Sequence, residues 1–143
     1  MPLPPGVTGD ANPRGRAAFR HWLSRTWARS GQVALVIGIN PNTATESDDD
    51  GMTRFLTRLL RGLEGEYACR GYVLVNCCDV RHRDPRELKD IESPCSEANV
   101  ETIRRMLAAC DFVVARGARR ITGRRSRSVA SRLRSWCARA GRG

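Results

Sequence analysis

Residues 32–53 read QVALVIGINPNTATESDDDGMT, and this stretch predicts the type of fold. Residues 33–39 form an apolar run rich in β-branched side chains, which suits one buried strand and is too short for a helix. Because proline has no N–H for a sheet ladder, the strand must end before Pro41. A polar loop, a group of carboxylates and a helix beginning near Gly51 follow. Open α/β sheets place their sites in this way, at the carboxyl ends of strands.

Composition and length describe one globular domain. A chain of 143 residues, 41% of them hydrophobic, is long enough to bury its own core. No run approaches the ~18 apolar residues of a membrane span, and the N-terminus has no apolar signal core. We therefore expect a cytoplasmic protein that does not act at a membrane. The sequence leaves the oligomeric state open.

The net charge of +10 lies entirely in residues 116–143. The first 115 residues contain 15 Lys and Arg against 15 Asp and Glu, whereas residues 116–143 contain ten Arg and no acid. Such a basic segment is typical of proteins that bind polyanions, nucleic acid first. It is equally typical of a disordered, arginine-rich end that has no ligand. Both interpretations stay open.

Helices and strands are predicted to alternate along the chain. Alternation of this kind indicates parallel pairing and right-handed crossovers, and therefore a three-layer α/β/α sandwich with a short, mostly parallel sheet. The predicted helices cover residues 14–29, 51–64, 96–109 and 128–138, with a short helical turn from Asp84-Pro85, and the predicted strands cover 33–39, 71–77 and 111–115.

The chain divides into three predicted parts. Residues 1–13 are rich in proline and glycine and are expected to be disordered. Residues 14–118 are expected to form the α/β domain, and residues 119–143 an arginine-rich C-terminal helix or tail.

Two asparagines end neighbouring predicted strands. Asn40 and Asn76 should project at the same edge of a parallel sheet, because the carboxyl ends of parallel strands meet there. Arg81 and Arg83 follow Asn76 closely and are placed to hold a phosphate through paired N–H groups. The alternatives are that Asn40 only forms a turn with its own backbone, and that the arginines lie on the surface.

The acidic cluster and the cysteines have competing interpretations. Carboxylates at residues 48–50 suit Mg²⁺ and phosphate chemistry, but they equally suit the solvated start of a helix. The six cysteines lack the paired spacing of a metal site, and without a secretory signal reduced thiols are favoured. We expect no bound metal and no cofactor. His82 is a candidate acid–base group in the loop after the second predicted strand.

Several motifs resemble the domain of unknown function 1643 family, from about Arg20 to Ala118. The motifs are FRHWLSRTW, INPNTA, DDDGMTR, VLVNCCDVRHRDPRELK, PCSEAN and VVARGA. A more distant resemblance is to the uracil-DNA glycosylase superfamily, through GINPN at residues 38–42 and NCCDVRHRDP at residues 76–85. Although the spacing of Cys78 and Cys95 is similar to that of its iron–sulfur members, a cluster needs four thiolates and no cysteine precedes Cys69.

The glycosylase resemblance implies a sheet between helices and a pocket for an extruded base. Asn40 would then position a water or the base edge, and a carboxylate would act as general base or stabilise an oxocarbenium-like centre. The catalytic candidates are Asn40, Asp49 and Asp50. The substrate-binding candidates are Gly38, Pro41, Asn42, Thr43, Thr53, Asn76, Arg81, Arg83 and Gly117.

The sequence therefore predicts a protein that binds a nucleobase, a nucleotide or DNA, with hydrolysis of an N-glycosidic bond as its candidate reaction. Two alternatives stay open. One is a non-catalytic nucleic-acid-binding module that uses the arginine-rich tail. The other is a Mg²⁺-dependent enzyme that handles phosphate through the acidic loop.

Overall fold

The centre of the protein is a mixed β-sheet, seen in a computed structural model that describes residues 1–90 and 95–115. Within these residues the sheet has five strands in the order β1-β2-β4-β3-β5. The strands are β1 (Thr8–Asn12), β2 (Trp22–Thr26), β3 (Gln32–Gly38), β4 (Cys69–Asn76) and β5 (Phe112–Ala115). β4, β3 and β5 run parallel to one another, and β1 and β2 extend the sheet antiparallel beyond β4.

Within the described part of the chain, two α-helices pack on the sheet, one on each face. Successive side chains of a strand point to opposite faces, and in β3 Val36 packs in the cluster that contains Leu60 of α1 (Gly51–Arg61). Its neighbour Ile37 packs in the cluster that contains Met106 of α2 (Glu97–Ala109). The apolar run of β3 is therefore buried from both sides.

Both helices begin within one residue of the predicted positions, and each begins at a capping side chain. Asp50 accepts a hydrogen bond from the backbone N–H of Thr53, and the Thr53 hydroxyl accepts one from the N–H of Asp50, which completes a capping box. Ser96 caps α2 by accepting a hydrogen bond from the N–H of Asn99. The predicted helical turn after Asp84 is a 3-10 helix at Pro85–Asp90.

The first part of the chain differs from the prediction. Residues 14–29 do not form an amphipathic helix, because Trp22–Thr26 form strand β2, which pairs with β4. Thr8–Asn12, expected to be disordered, form strand β1 at the edge of the sheet. The intervals between Phe19, Trp22, Leu23 and Trp27 suit a helix, but Leu23 and Arg25 are the buried side chains of a strand, in which alternate residues share a face.

The parallel sheet core is confirmed, and so is the mixed α/β class. The sheet is less parallel than predicted, because β1 and β2 add two antiparallel strands. The predicted helix at residues 128–138 and the arginine-rich tail at residues 119–143 lie outside the residues that the structure describes. Among the helices that it does describe, none is both long and apolar enough to cross a membrane.

Candidate functional site

A cavity of about 540 Å³ opens at the carboxyl ends of the parallel strands. We call it the strand-end cavity. Polar side chains of Arg20, Asn40, Asp50 and Asn76 line it, together with Gly38 and with apolar side chains from α1 and the parallel strands. The register pairs Gly38 of β3 with Asn76 of β4, so both strands end at this edge of the sheet. The sequence predicts this meeting of strand ends from parallel pairing, and the structure brings the two ends together.

The apolar wall of the cavity is an exposed stripe on α1. Met52, Phe55 and Leu59 line the cavity, and Phe55 and Leu59 are 55% and 46% exposed. Because the remaining apolar residues of α1 pack on the sheet, this stripe is apolar surface beyond what the core requires. Exposed apolar side chains beside converging polar groups are the usual composition of a small-molecule site.

Asn76 supplies an unsatisfied amide at the base of the cavity. The residue is only 2% exposed, and its Nδ2 atom has no hydrogen-bond partner among the described residues. The Asn99 side chain donates to the Asn76 backbone oxygen at 2.8 Å and so fixes the end of β4. A Cβ atom at Gly38 would lie 2.5 Å from Asn76 Oδ1, so the glycine leaves the space that the amide occupies.

Asn40 lies at the rim of the same cavity but has a structural task. Its Nδ2 atom donates to the carbonyl oxygens of His82, at 2.6 Å, and Pro41, at 3.1 Å. The His82 N–H in turn donates to the Pro41 carbonyl oxygen at 3.0 Å. Asn40 therefore ties the loop after β3 to the loop after β4, which leaves its Oδ1 atom as the group available to a ligand. Pro41 is buried beneath this connection.

The three aspartates of the acidic cluster lie in different environments. Asp50 caps α1, also accepts from the Ala44 N–H at 3.2 Å, and lines the cavity together with Thr53. Asp49 is buried in an ion pair with Arg25 at 3.0 Å and does not line the cavity. Asp48 lies 3.7 Å from the N-terminal amine of Met1. The structure thus places Asp50 at the site and Asp49 in the interior.

The side chains of the acidic loop therefore do not converge on one point. Within residues 1–90 and 95–115, no group of three or more His, Cys, Asp or Glu side chains is arranged to hold a metal ion. The carboxylates of residues 48–50 are instead engaged with an amine, a guanidinium and a helix N-terminus.

Arg20 is a cavity residue that the sequence does not single out. It is 1% exposed, and its guanidinium Nη1 donates to the Ala44 carbonyl oxygen at 2.7 Å. Its Nε atom has no partner, and no carboxylate forms an ion pair with it among the described residues. Burial, together with the nearby positive charge of Arg81, lowers the pKa of Arg20 to about 10. A buried cation without a counter-ion is a candidate group for binding an anion.

A second, shallower cavity of about 480 Å³ lies beside the first. We call it the arginine groove. It is lined by Arg16, Asn42, Thr43, Arg81, His82, Arg83, Asp84 and Glu87. The predicted residues Asn42, Thr43, Arg81 and Arg83 therefore come together, with Asn42 and Arg83 also facing the strand-end cavity. Gly117 lies outside the described residues.

Arg81 is held rigidly in this groove by backbone oxygens. Its guanidinium donates to the carbonyl oxygens of Asn42 at 2.6 Å, Ala44 at 2.9 Å and Gly15 at 3.0 Å. Partial burial lowers the pKa of Arg81, and the positive charge of Arg16 lowers it further. Arg83 is exposed and has no hydrogen bond or ion pair with the described residues. The predicted pair of arginines therefore divides into an anchored residue and an unpaired one.

Comparison with known protein families matches most of the chain to one family. The profile of a family of proteins of unknown function, DUF1643, matches residues 20–140. The chain belongs to the DUF1643 family. No curated protein and no solved structure matches it. The resemblance to uracil-DNA glycosylases thus gains no support from the comparisons, and the family match continues past Ala118 into the arginine-rich segment.

The DUF1643 match contains every polar residue of the strand-end cavity and begins at Arg20 itself. Strand β1 and Arg16 of the groove precede it. The available signal for Arg20 was its position in the motif FRHWLSRTW. The predicted helix obscured that signal, because it gave Arg20 no reason to face the strand ends.

Proposed function

We propose that this DUF1643 protein binds a nucleobase in the strand-end cavity, as part of a nucleotide or of a nucleic acid. The observation that carries the proposal is the Asn76 amide, which is buried at the base of the cavity with an unpartnered Nδ2 atom. An unsatisfied buried donor costs about 1–3 kcal/mol, so a ligand that offers an acceptor there gains affinity. An amide presents one acceptor and two donors side by side, which matches the hydrogen-bonding edge of a base.

The apolar wall supports a planar ligand. Phe55 and Leu59 expose apolar surface toward the cavity. Stacking of a base on an aromatic ring contributes about 1–3 kcal/mol and is available to every base. Asn76 on one side and this wall on the other provide edge recognition and face recognition within one cavity.

The charge of the cavity supports a nucleotide over a free base. Arg20 is buried at the cavity without a carboxylate partner, and Arg83 lies exposed at its rim. A phosphate bound between these guanidinium groups would offset the desolvation of Arg20 and satisfy N–H groups that the described residues leave free.

Hydrolysis of an N-glycosidic bond is the second candidate function, and the position of Asp50 favours it. Asp50 is the acidic side chain that lines the strand-end cavity within the described residues. A carboxylate near the sugar would stabilise a developing oxocarbenium-like charge or orient a water. The finer fold proposal, a three-layer sandwich similar to uracil-DNA glycosylases, is supported by the parallel β4-β3-β5 core with one helix on each face.

Nucleobase binding is tested with the full chain by isothermal titration calorimetry against the four nucleoside 5′-monophosphates. We expect at least one to bind, and Asn76→Ala to weaken it by about 10-fold, since a lost buried hydrogen bond of this size corresponds to that factor. Asn12→Ala, on the exposed edge strand β1, is the matched control and should bind as the wild type does. Absence of binding by all four, or equal binding by Asn76→Ala, refutes the proposal.

Hydrolysis is tested by release of free base from uracil-containing single-stranded DNA. Asp50→Asn removes the charge but keeps a good N-cap, so the helix should persist while base release falls. Asp48→Asn, in the same loop but outside the cavity, should leave the rate unchanged. If wild-type protein releases no base, the binding proposal stands alone. If Asp50→Asn and Asp48→Asn behave alike, the carboxylate is not the reacting group.

A further inference from the structure

The arginine groove and the strand-end cavity are parts of one continuous surface. Asn42, His82 and Arg83 line both. The strand-end cavity runs inward to Arg20 and Asn76, whereas the groove is shallow and bordered by exposed side chains such as Arg16 and Thr43. The cavity and the groove therefore adjoin at these three shared residues, so that one extended ligand could contact both.

Both acids of the groove contact a neighbouring side chain, whereas two of its arginines do not. Asp84 forms an ion pair with Arg86 at 2.8 Å, and this guanidinium holds the pKa of Asp84 near 2. Glu87 lies 3.2 Å from His82 Nε2. In contrast, Arg16 and Arg83 are exposed and make no hydrogen bond or ion pair with the described residues. The groove thus presents positive charge that its own carboxylates do not offset.

Backbone carbonyl oxygens also fix the position of an arginine side chain in the groove. Three carbonyl oxygens, those of Asn42, Ala44 and Gly15, orient the Arg81 guanidinium. The same Ala44 oxygen accepts from Arg20 in the neighbouring cavity. The guanidinium groups of Arg20 and Arg81 therefore share the Ala44 carbonyl oxygen despite their like charge. Arg20 lines the strand-end cavity, and Arg81 lines the groove. An arrangement of this kind suits a ligand with successive negative charges.

We propose that the arginine groove binds the phosphodiester backbone of a single-stranded nucleic acid, one base of which occupies the strand-end cavity. This inference rests on the proposed nucleobase binding. It specifies that the ligand is a single-stranded nucleic acid and not a free nucleotide. Phosphate contacts of this type position a strand without reading its sequence. The exposed arginines supply the charge, and the groove leads the backbone into and out of the cavity.

The test compares a trinucleotide with a nucleoside monophosphate of the same central base, using the full chain and calorimetry. For the wild type we expect the trinucleotide to bind about 10-fold more tightly at low salt, with the advantage falling as salt rises. Arg16→Glu, which reverses a charge found only in the groove, should bring the ratio of the two affinities close to one. Arg58→Glu is the control, because Arg58 is exposed on α1, carries the same charge change and lines neither cavity.

Each outcome decides the inference. Equal loss of the affinity ratio in Arg16→Glu and Arg58→Glu overturns it, since the effect is then general electrostatics. Equal affinity for a nucleoside triphosphate and the trinucleotide also overturns it, in favour of a polyphosphate site. If the Asn76→Ala variant binds the trinucleotide with the affinity of the wild type, the placement of a base in the cavity is overturned. If the monophosphate binds but the trinucleotide has no advantage, the groove inference fails while nucleobase binding stands.

DNA and RNA trinucleotides are run as parallel arms. They share the phosphodiester chemistry that the groove recognises, and the ribose 2′-hydroxyl is the difference between them. Either arm with the expected Arg16 dependence supports the inference, and the ratio between the arms identifies the natural strand. Failure of both arms, with the monophosphate still bound, overturns it.

Discussion

At the scale of single residues, the buried Arg20 lowers the stability of the protein. A guanidinium group buried without a carboxylate partner carries a desolvation cost, and the lowered pKa of Arg20 expresses that cost. Because the pKa is lower in the folded protein than in the unfolded chain, the charged form reduces stability at neutral pH, and a bound anion would relieve this.

The first prediction concerns this residue. Arg20→Met keeps most of the side-chain volume and removes the charge, so the free energy of unfolding should be unchanged or higher. Affinity for the monophosphate that binds the wild type should fall by about 10-fold. Urea unfolding and calorimetry measure the two quantities, with Arg58→Met as the exposed control. A variant that loses both stability and affinity would show that Arg20 mainly holds the Ala44 carbonyl oxygen, against the anion-binding role.

Single residues were also where the sequence was least informative. Three consecutive aspartates carry the same chemistry, yet Asp48, Asp49 and Asp50 contact an amine, a buried arginine and a helix N-terminus. Capping by Asp50 was predictable, because it depends on neighbours three positions away. The environment of Asp49 was not, since its partner Arg25 belongs to a strand that the apolar spacing presented as a helix.

At the scale of elements, strand β2 and the acidic loop are joined by one buried ion pair. The Arg25 guanidinium bonds Asp49 and also donates to the carbonyl oxygens of Thr45, at 2.8 Å, and Asp48, at 3.1 Å. This set of bonds positions the loop that delivers Asp50 to the cavity. Asp49 therefore holds the acidic loop in position, and its buried side chain does not line the cavity.

The second prediction follows from that pair. Asp49→Asn leaves the Arg25 charge buried with reduced compensation, so the free energy of unfolding should fall by about 3–5 kcal/mol. Asp48→Asn weakens long contacts with the N-terminal amine and the Ser47 hydroxyl and should change the free energy of unfolding by no more than about 1 kcal/mol. Tryptophan fluorescence during urea unfolding measures both. Similar stability of the two variants, with ligand binding lost only in Asp49→Asn, would return Asp49 to the catalytic candidates.

Some helices and strands could be predicted from local sequence, whereas others depend on pairing with residues far away in the chain. β3, β4 and β5 are continuous apolar runs and α2 follows a serine cap, so local sequence predicted them. β2 joins the sheet through antiparallel pairing with β4, far away in the chain, and β1 joins it only by pairing with β2. Their side chains include Asp10, Ser24 and the buried Arg25, which give no apolar alternation. Long-range pairing, and not propensity, decides such strands.

At the scale of the whole molecule, the sheet order determines what the site contains. Because β3 lies between β4 and β5, the ends of β3 and β4 adjoin, and the prediction that Asn40 and Asn76 meet at one edge is supported by their shared cavity. Their roles differ in a way that the sequence did not show, since Asn40 ties two loops together and Asn76 offers the unsatisfied amide. The added strand β2 begins just after Arg20, which accounts for the residue that the prediction lacked.

The charge of the whole molecule gives the last prediction. All of the net +10 charge comes from residues 116–143, so we expect these residues to be a second source of attraction for a long single strand. Replacing Arg124, Arg125 and Arg127 with glutamine should weaken binding of a long single-stranded oligonucleotide. The slope of the logarithm of the binding constant against the logarithm of the salt concentration should become less steep by about 0.7 for each phosphate that the protein no longer neutralises. Trinucleotide affinity should change much less, because fewer phosphates are available to the tail.

The control for this prediction removes the same number of positive charges from another part of the protein. Replacing the exposed Arg58, Arg61 and Arg105 with glutamine removes three charges outside both the tail and the groove. Fluorescence anisotropy at several salt concentrations gives the slopes for both triple variants. A smaller slope in the tail variant alone assigns long-strand affinity to residues 116–143 and makes the tail an extension of the groove. Equal slopes would mean that the oligonucleotide responds to net charge, and the tail would then have no specific part in binding.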